Sequence, residues 1–306
     1  MIRFFVATAV SIALLAAQPP KQQGQQTEGV RQAQRLMREG KLDEALAAYK
    51  QELKTTPNSL PALNGAGVTL DLMGKTSEAR GYFSKAIEAA PAPLAKAGAR
   101  RAMAMSYAFD NDCKNTLKYE MLVNEHWIAE KNFYQQGEML NEAARVCIEA
   151  GEFDTAEKLY KSGAEIGLQE PNIPAERKAL WAFRLEHALA RLAARRGQKE
   201  VAQKHVAAAK AVLDSNAGMA KAQAIFFPYL AGYVALYTGD PYKARFHLSQ
   251  ANQNDPFIRC LLGLAQEQLG EKEKALEHFK QAYATTAHNP PAAFAKPFAR
   301  KKLGLR

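Results

Sequence analysis

The chain reads GKLDEALAAYKQELKTTP from Gly40 to Pro57 and GKTSEARGYFSKAIEAAP from Gly74 to Pro91, two segments in phase over 34 residues. Both carry the string Gly-x4-Ala-x3-aromatic, as Gly40, Ala45, Tyr49 and as Gly74, Ala79, Phe83. The string returns at Gly151, Ala156, Tyr160 and at Gly270, Ala275, Phe279. At Gly197, Ala202, Val206 and Gly239, Ala244, Leu248 the spacing holds with an aliphatic third residue. Self-similarity at this period marks a stacked array of helix-turn-helix units rather than one globular core, which makes binding the default function and catalysis the exception. Each position has a physical reason. Glycine takes the backbone angles of a tight inter-helix turn. Alanine lets two helices approach, the aromatic ring fills the space between them, and Pro57 and Pro91 stop the second helix.

The remaining units are less regular. Around Ala97 to Ile128 one unit puts Asn111 in the turn slot and Thr116 in the alanine slot. From Gly40 to Gly270 the successive turn residues are 34, 37, 40, 46, 42 and 31 apart, so the middle of the array has longer helices or loops. The stretch Gln169 to Pro174 (QEPNIP) is the clearest loop and divides the array into residues 28–168 and 175–290. The expected fold is all-α, a right-handed solenoid of about six or seven helical hairpins. Residues 291–306 form a basic end with Lys296, Arg300, Lys301, Lys302 and Arg306. With Phe294, Phe298 and Leu303 it reads as a helix capping the last unit, and its charge also suits peripheral membrane contact.

The N-terminus has a different character. Met1 to Arg3 carries one positive side chain, Phe4 to Ala17 is an apolar run, and Ala16-Ala17 offers small residues for a signal peptidase. The run is shorter than the roughly 20 residues a spanning helix needs, so residues 1–17 read as a cleaved signal, with an uncleaved membrane anchor as the alternative. Residues 18–27, QPPKQQGQQT, lack apolar periodicity and read as a tether. No later stretch is long and apolar enough to cross a membrane, since Pro228 and Gly232 interrupt residues 222–236. These features predict a periplasmic or secreted protein.

Of 41 Lys and Arg, removal of Arg3 leaves 40 against 31 Asp and Glu, a formal +9 for the mature chain. That balance favours acidic partners, and export disfavours nucleic acid. Cys113, Cys147 and Cys260 are too few for a disulfide framework, and an odd number leaves at least one unpaired. Cys147, between Val146 and Ile148, reads as a buried apolar thiol, while an oxidising compartment leaves room for a single bridge. None of the three stands at metal-ligand spacing from a histidine. There is no P-loop, no zinc-binding histidine pair and no nucleophile elbow. Gly65-Ala66-Gly67 lacks the third glycine of a dinucleotide loop and reads as a place where helices pack closely. No cofactor is expected.

The repeated segments resemble the tetratricopeptide repeat over roughly residues 28–290, without that family's first-helix tryptophan. The resemblance implies that the first helix of each unit lines a concave, ligand-binding face. Counting back from the turn glycines then places Arg184, His187, Arg191 and Arg195 on that face in one unit and Phe226, Tyr229, Tyr233 and Tyr237 on it in the next. A basic stripe beside an aromatic one suits a protein or peptide partner of acidic or aromatic character, since arginine and tyrosine dominate binding hot spots. Chaperone-type members clamp a C-terminal carboxylate, but the matching slots here are Val30, Gln34, Gly65, Ala95 and Ala99, so that clamp is missing. The expectation is a non-enzymatic scaffold of the periplasm or cell envelope, with an envelope-glycan or anionic-surface binder as the alternative.

Overall fold

The computed structural model describes residues 26–305, so the signal and nearly all of the tether lie outside the described residues. Among the described residues there are sixteen helices and no strand. The first three pairs are α1 Glu28–Arg38 with α2 Leu42–Thr55, α3 Leu60–Leu72 with α4 Thr76–Ala89, and α5 Pro93–Ala108 with α6 Cys113–Ala129. Two longer pairs follow, α7 Phe133–Glu149 with α8 Phe153–Gly167 and α9 Ala175–Arg195 with α10 Lys199–Asp214. After the short α11 Ala217–Gln223 come α12 Phe226–Tyr237 with α13 Pro241–Leu248, and α14 Pro256–Gln268 with α15 Lys272–Tyr283. A last helix, α16, spans Pro290–Lys302. This is the expected solenoid of helical hairpins, and the loop before α9 falls where the sequence places it.

The turns explain the repeat. Gly40 has φ +76°, and the N–H groups of Gly40 and Lys41 donate to the Met37 and Leu36 carbonyls, closing the end of α1. The other turn glycines adopt the same left-handed backbone, and Asn111 does so at φ +55° in the irregular unit. Asparagine tolerates that region better than most residues with a Cβ. Lys131 (φ +52°) makes a further turn of this kind between α6 and α7, one the glycine pattern does not reveal.

Within each pair the third residue of the string packs against a small residue sixteen positions earlier. Tyr49, Phe83, Tyr160, Val206, Leu248 and Phe279 are thereby matched to Ala33, Gly67, Ala144, Ala190, Gly232 and Gly263. The fit leaves no spare room, since a Cβ on Gly67 would stand 2.6 Å from the Phe83 ring and one on Gly263 2.4 Å from the Phe279 ring. Gly65 is similar, with the Tyr49 ring 2.3 Å from where its Cβ would be. One unit breaks the rule: opposite Ala104, the slot holds Glu120.

Two expectations are corrected. Cys147 is not a free thiol but is bonded to Cys113, 34 residues away, joining the end of α7 to the start of α6. Cys260 is the free, buried cysteine. The C-terminal helix does more than cap the last pair. It packs on α14 and α15 and also reaches back to α5 and α7, with Ala293 buried among Leu72, Ala104, Met105, Phe109 and Val146. Ahead of it the His288 ring stacks on Phe109 and sits 2.8 Å from the Asp71 carboxylate of α3, which also accepts from Ser106. The superhelix therefore closes on itself. Two of the basic residues at this end are engaged internally: Lys296 donates to the Tyr283 and Thr285 carbonyls, with burial bringing its ammonium down to about 8, and Lys302 pairs with Glu267.

Glu120 is buried with no hydrogen-bond partner for either carboxyl oxygen among the described residues. Burial, then the charge of Glu142, hold its carboxyl well above the usual range against the pull of Arg101. Since the unfolded chain gives up this proton first, the residue costs the fold progressively more as pH rises above the ordinary carboxylate pKa of about 4. Glu120→Leu is expected to stabilise the protein by about 1–3 kcal/mol near neutral pH. In urea denaturation the gain should be smaller at acid pH than at neutral pH.

Candidate functional site

Four slots on the first helix of each unit, thirteen, ten, six and two residues before the turn, face the inside of the superhelix. In α9 they hold Arg184, His187, Arg191 and Arg195, and in α12 Phe226, Tyr229, Tyr233 and Tyr237, the residues picked out in the sequence. In α7 the same slots hold Glu138, Asn141, Arg145 and Glu149. Side chains in matching slots of α7 and α9 meet. Arg184 donates to Glu138 at 2.5 Å and to the Tyr134 hydroxyl at 3.2 Å. Arg195 donates to Glu149 at 2.8 Å and to the Tyr233 hydroxyl at 3.1 Å, while that hydroxyl donates to Glu149 at 3.2 Å.

These contacts sort the expected site residues into two groups. Tyr233 is fully buried, its ring stacked on Phe257 of α14. Tyr237 lies against it and under the Arg195 guanidinium, 4.8 Å from the ring centre. Burial pushes both phenols up, and nearby Glu149 adds to the effect. The sequence reading sets the tyrosines away from the tightest seam. The structure corrects this, because α14, the first helix of the next unit, packs over Tyr233 through Phe257. Arg195 likewise spends its charge on Glu149, so this trio fastens α7, α9 and α12 together.

The other five line a cavity of about 850 Å³. Arg184, His187 and Arg191 come from α9, Phe226 and Tyr229 from α12. Opposite them stand Arg101 of α5, Trp127 of α6, and Tyr134, Glu138, Glu142 and Arg145 of α7, while Tyr160 of α8 and Pro290-Pro291 of α16 complete the wall. Arg101 is held by Glu142 through two bonds of 2.9 and 2.6 Å. Arg191 is buried and donates to three neutral oxygens, the Tyr160 hydroxyl at 2.9 Å, the Tyr229 hydroxyl at 3.3 Å and the His187 carbonyl at 3.4 Å. The His187 Nε2 has no partner among the described residues. Burial, then the charges of Arg191 and Arg145, hold that imidazole well below its usual range, so it is neutral at physiological pH.

Glu138, Glu142 and Arg145 go unnoticed when only α9 and α12 are read. Their signal was available: the register that selects Arg184 and Arg191 selects Glu138 and Arg145 one unit earlier. Arg101 falls in the His187 slot of α5 by the same count. Trp127 lies on a second helix, and nothing in the repeat pattern singles it out.

Residues 30–92 and 229–290 match the family model of the tetratricopeptide repeat, so the chain carries such repeats at both ends of the array. No curated protein matches it. A crystal structure of a tetratricopeptide repeat protein from Parabacteroides merdae is similar at 15% identity and a TM-score of 0.50, covering 90% of this chain and 96% of that one. The apo form of RapI is similar at 11% identity and a TM-score of 0.55, covering 90% and 97%. At these identities the likeness is one of fold.

Tyr233→Ala is expected to cost about 3–5 kcal/mol in chemical denaturation, the range for emptying a large aromatic site in a core. Phe226, 44% exposed at the cavity wall, should tolerate Phe226→Ala within about 0.5 kcal/mol.

Proposed function

We propose that the protein is a non-enzymatic interaction scaffold whose inner cavity receives a short segment of a protein partner. The observation that carries this reading is the cavity itself. At about 850 Å³ it lies in the range of specific ligand sites, and it combines aromatic walls with a few converging polar groups. It is built from the first helices of successive units, the face that tetratricopeptide arrays offer to ligands. Two of its arginines are held in ion pairs across its wall, Arg101 with Glu142 and Arg184 with Glu138. The glycan reading relied on Tyr229, Tyr233 and Tyr237 as stacking platforms. Tyr229 and Tyr233 are packed against protein, which leaves that reading with fewer supports than the scaffold.

The site of action we propose is the periplasm or cell envelope. The charge-then-apolar order of residues 1–17 supports it, and so does the Cys113–Cys147 bridge, because such bonds persist in oxidising compartments. The protein recovered from the envelope fraction of its native cell should begin near Gln18. Recovery of intact Met1 in the membrane would favour an uncleaved anchor instead.

Gly98 tests the cavity. It lies on the cavity wall in α5, and a Cβ there would meet nothing within 4 Å. Gly98→Leu therefore fills cavity space without straining the wall, and replacing a mid-helix glycine should if anything help α5 by up to about 1 kcal/mol. A partner captured by the wild-type protein from envelope extract should be lost with Gly98→Leu at unchanged melting temperature. Equal capture by both would sink the cavity as the site of binding.

A further inference from the structure

Charge inside the superhelix is balanced slot by slot, with one exception. Thirteen residues before the turn, Glu138 of α7 meets Arg184 of α9, and two residues before it Glu149 meets Arg195. Six residues before the turn the same two helices present Arg145 and Arg191, a cation facing a cation's row. Neither has an ion-pair partner among the described residues. The acids in reach are already committed: Glu142 to Arg101, Glu138 to Arg184, Glu149 to Arg195 and Tyr233. Arg191 has only neutral oxygens around it, and Arg145 lies over the Phe257 ring at 5.3 Å. An arginine stays protonated in any protein environment, so its burial without a counter-charge is costly unless an anion supplies one.

The cavity brings the two onto one wall system around His187. Arg145 and Arg191 both line it, and both act on the same buried His187, whose Nε2 is unpartnered. On its other side Arg145 borders only a small space with Phe257, Pro290 and Phe294, about 10 Å³, barely room for one water.

We propose that the part of the cavity lined by Arg145, His187 and Arg191 is an anion site, in which a carboxylate of the incoming segment lies between the two guanidiniums with the His187 imidazole as a third polar contact. This rests on the scaffold reading and narrows it to a carboxylate borne on an apolar body. The site is not the chaperone-type clamp, whose slots lie in the first three units and hold Val30, Gln34, Gly65, Ala95 and Ala99. Arg184 and Arg195, already neutralised, contribute no such contact.

Phenylacetate and its neutral isostere phenylacetamide are suitable probes, and Trp127 on the cavity wall is one of only two tryptophans, the other, Trp181, being fully buried. In fluorescence titrations of the full protein, phenylacetate should bind saturably, and phenylacetamide about tenfold or more weaker, as loss of a charge-assisted contact implies. Arg145→Met should abolish that preference without lowering the melting temperature, since it removes an uncompensated charge. Arg191→Met is the second variant, read only if folded by circular dichroism. Equal affinity for acid and amide, no binding of either, or an unchanged preference in Arg145→Met would overturn the anion site. The scaffold reading is scored separately: a partner lost with Gly98→Leu but retained with Arg145→Met leaves the cavity standing and the anion site refuted.

Discussion

Six of the seven hairpins among the described residues depend on one close approach, an aromatic or branched side chain of the second helix seated on a glycine or alanine of the first. The seat has no slack: ordinary Cβ atoms at Gly67 or Gly263 would overlap the Phe83 and Phe279 rings. Because the contact recurs at a fixed offset from the turn, it fixes the rotation of both helices about their axes. That rotation decides which side chains face inward and puts matching slots of neighbouring units side by side. The Glu138–Arg184 and Glu149–Arg195 pairs are consequences of it, not independent devices. Glu120 shows the constraint by violating it. The α5–α6 unit keeps its seat at Ala104 but fills it with a carboxyl group, and the Cys113–Cys147 bridge ties this same unit to the next one. A covalent tie beside a poorly filled seat limits how far the unit can open, most of its benefit coming from restricting the unfolded chain.

The second level of organisation is closure. An open solenoid would expose the inner slots of α7, α9 and α12 along a continuous groove. Here α16 returns to α5 and α7, while α14 of the neighbouring unit covers Tyr233, so the inner face stays open chiefly around the cavity. Small contacts secure the return: Ala293 among Leu72, Phe109 and Val146, and His288 between Phe109 and Asp71. Each is modest alone, but both link units distant in sequence.

Much of this was legible in the residues. Turn glycines, small seats and aromatic fillers are local chemistry repeated at a readable period, so the helix pairs could be located, including the one that turns at Asn111. Inner-face positions were legible as well, because they follow from the turn by counting. What could not be read was which of those positions remain open. Tyr229 and Tyr233 look alike in sequence and both touch Phe257 of the next unit, yet Tyr229 still lines the cavity while Tyr233 is fully buried, a difference set by packing between units that the repeat pattern does not record. The bond between Cys113 and Cys147 was hidden for a related reason: it joins adjacent helices across the Lys131 turn, which has no glycine to mark it. The pairing of Arg184 and Arg195 was within reach but needed α7 to be read in the same register as α9.

Closure also changes the currency of recognition. A long groove gains affinity from extended contact and tolerates many sequences, at the cost of ordering a long segment on binding. A cavity of about 850 Å³ admits only a short segment, so it cannot rely on area. It must gain from a few contacts that are strong because they are desolvated. The inner face is arranged in that way. Arg101, Arg184 and Arg195 are each neutralised by an acid and form the frame, while the buried Arg191 and the partly buried Arg145 keep their charge on the cavity wall. A charge that is costly when unpaired is also a strong reward for the right ligand, because binding restores the missing partner. Selectivity then follows from the penalty on everything else: a neutral segment that fills the cavity displaces whatever solvates the two guanidiniums and offers nothing in return.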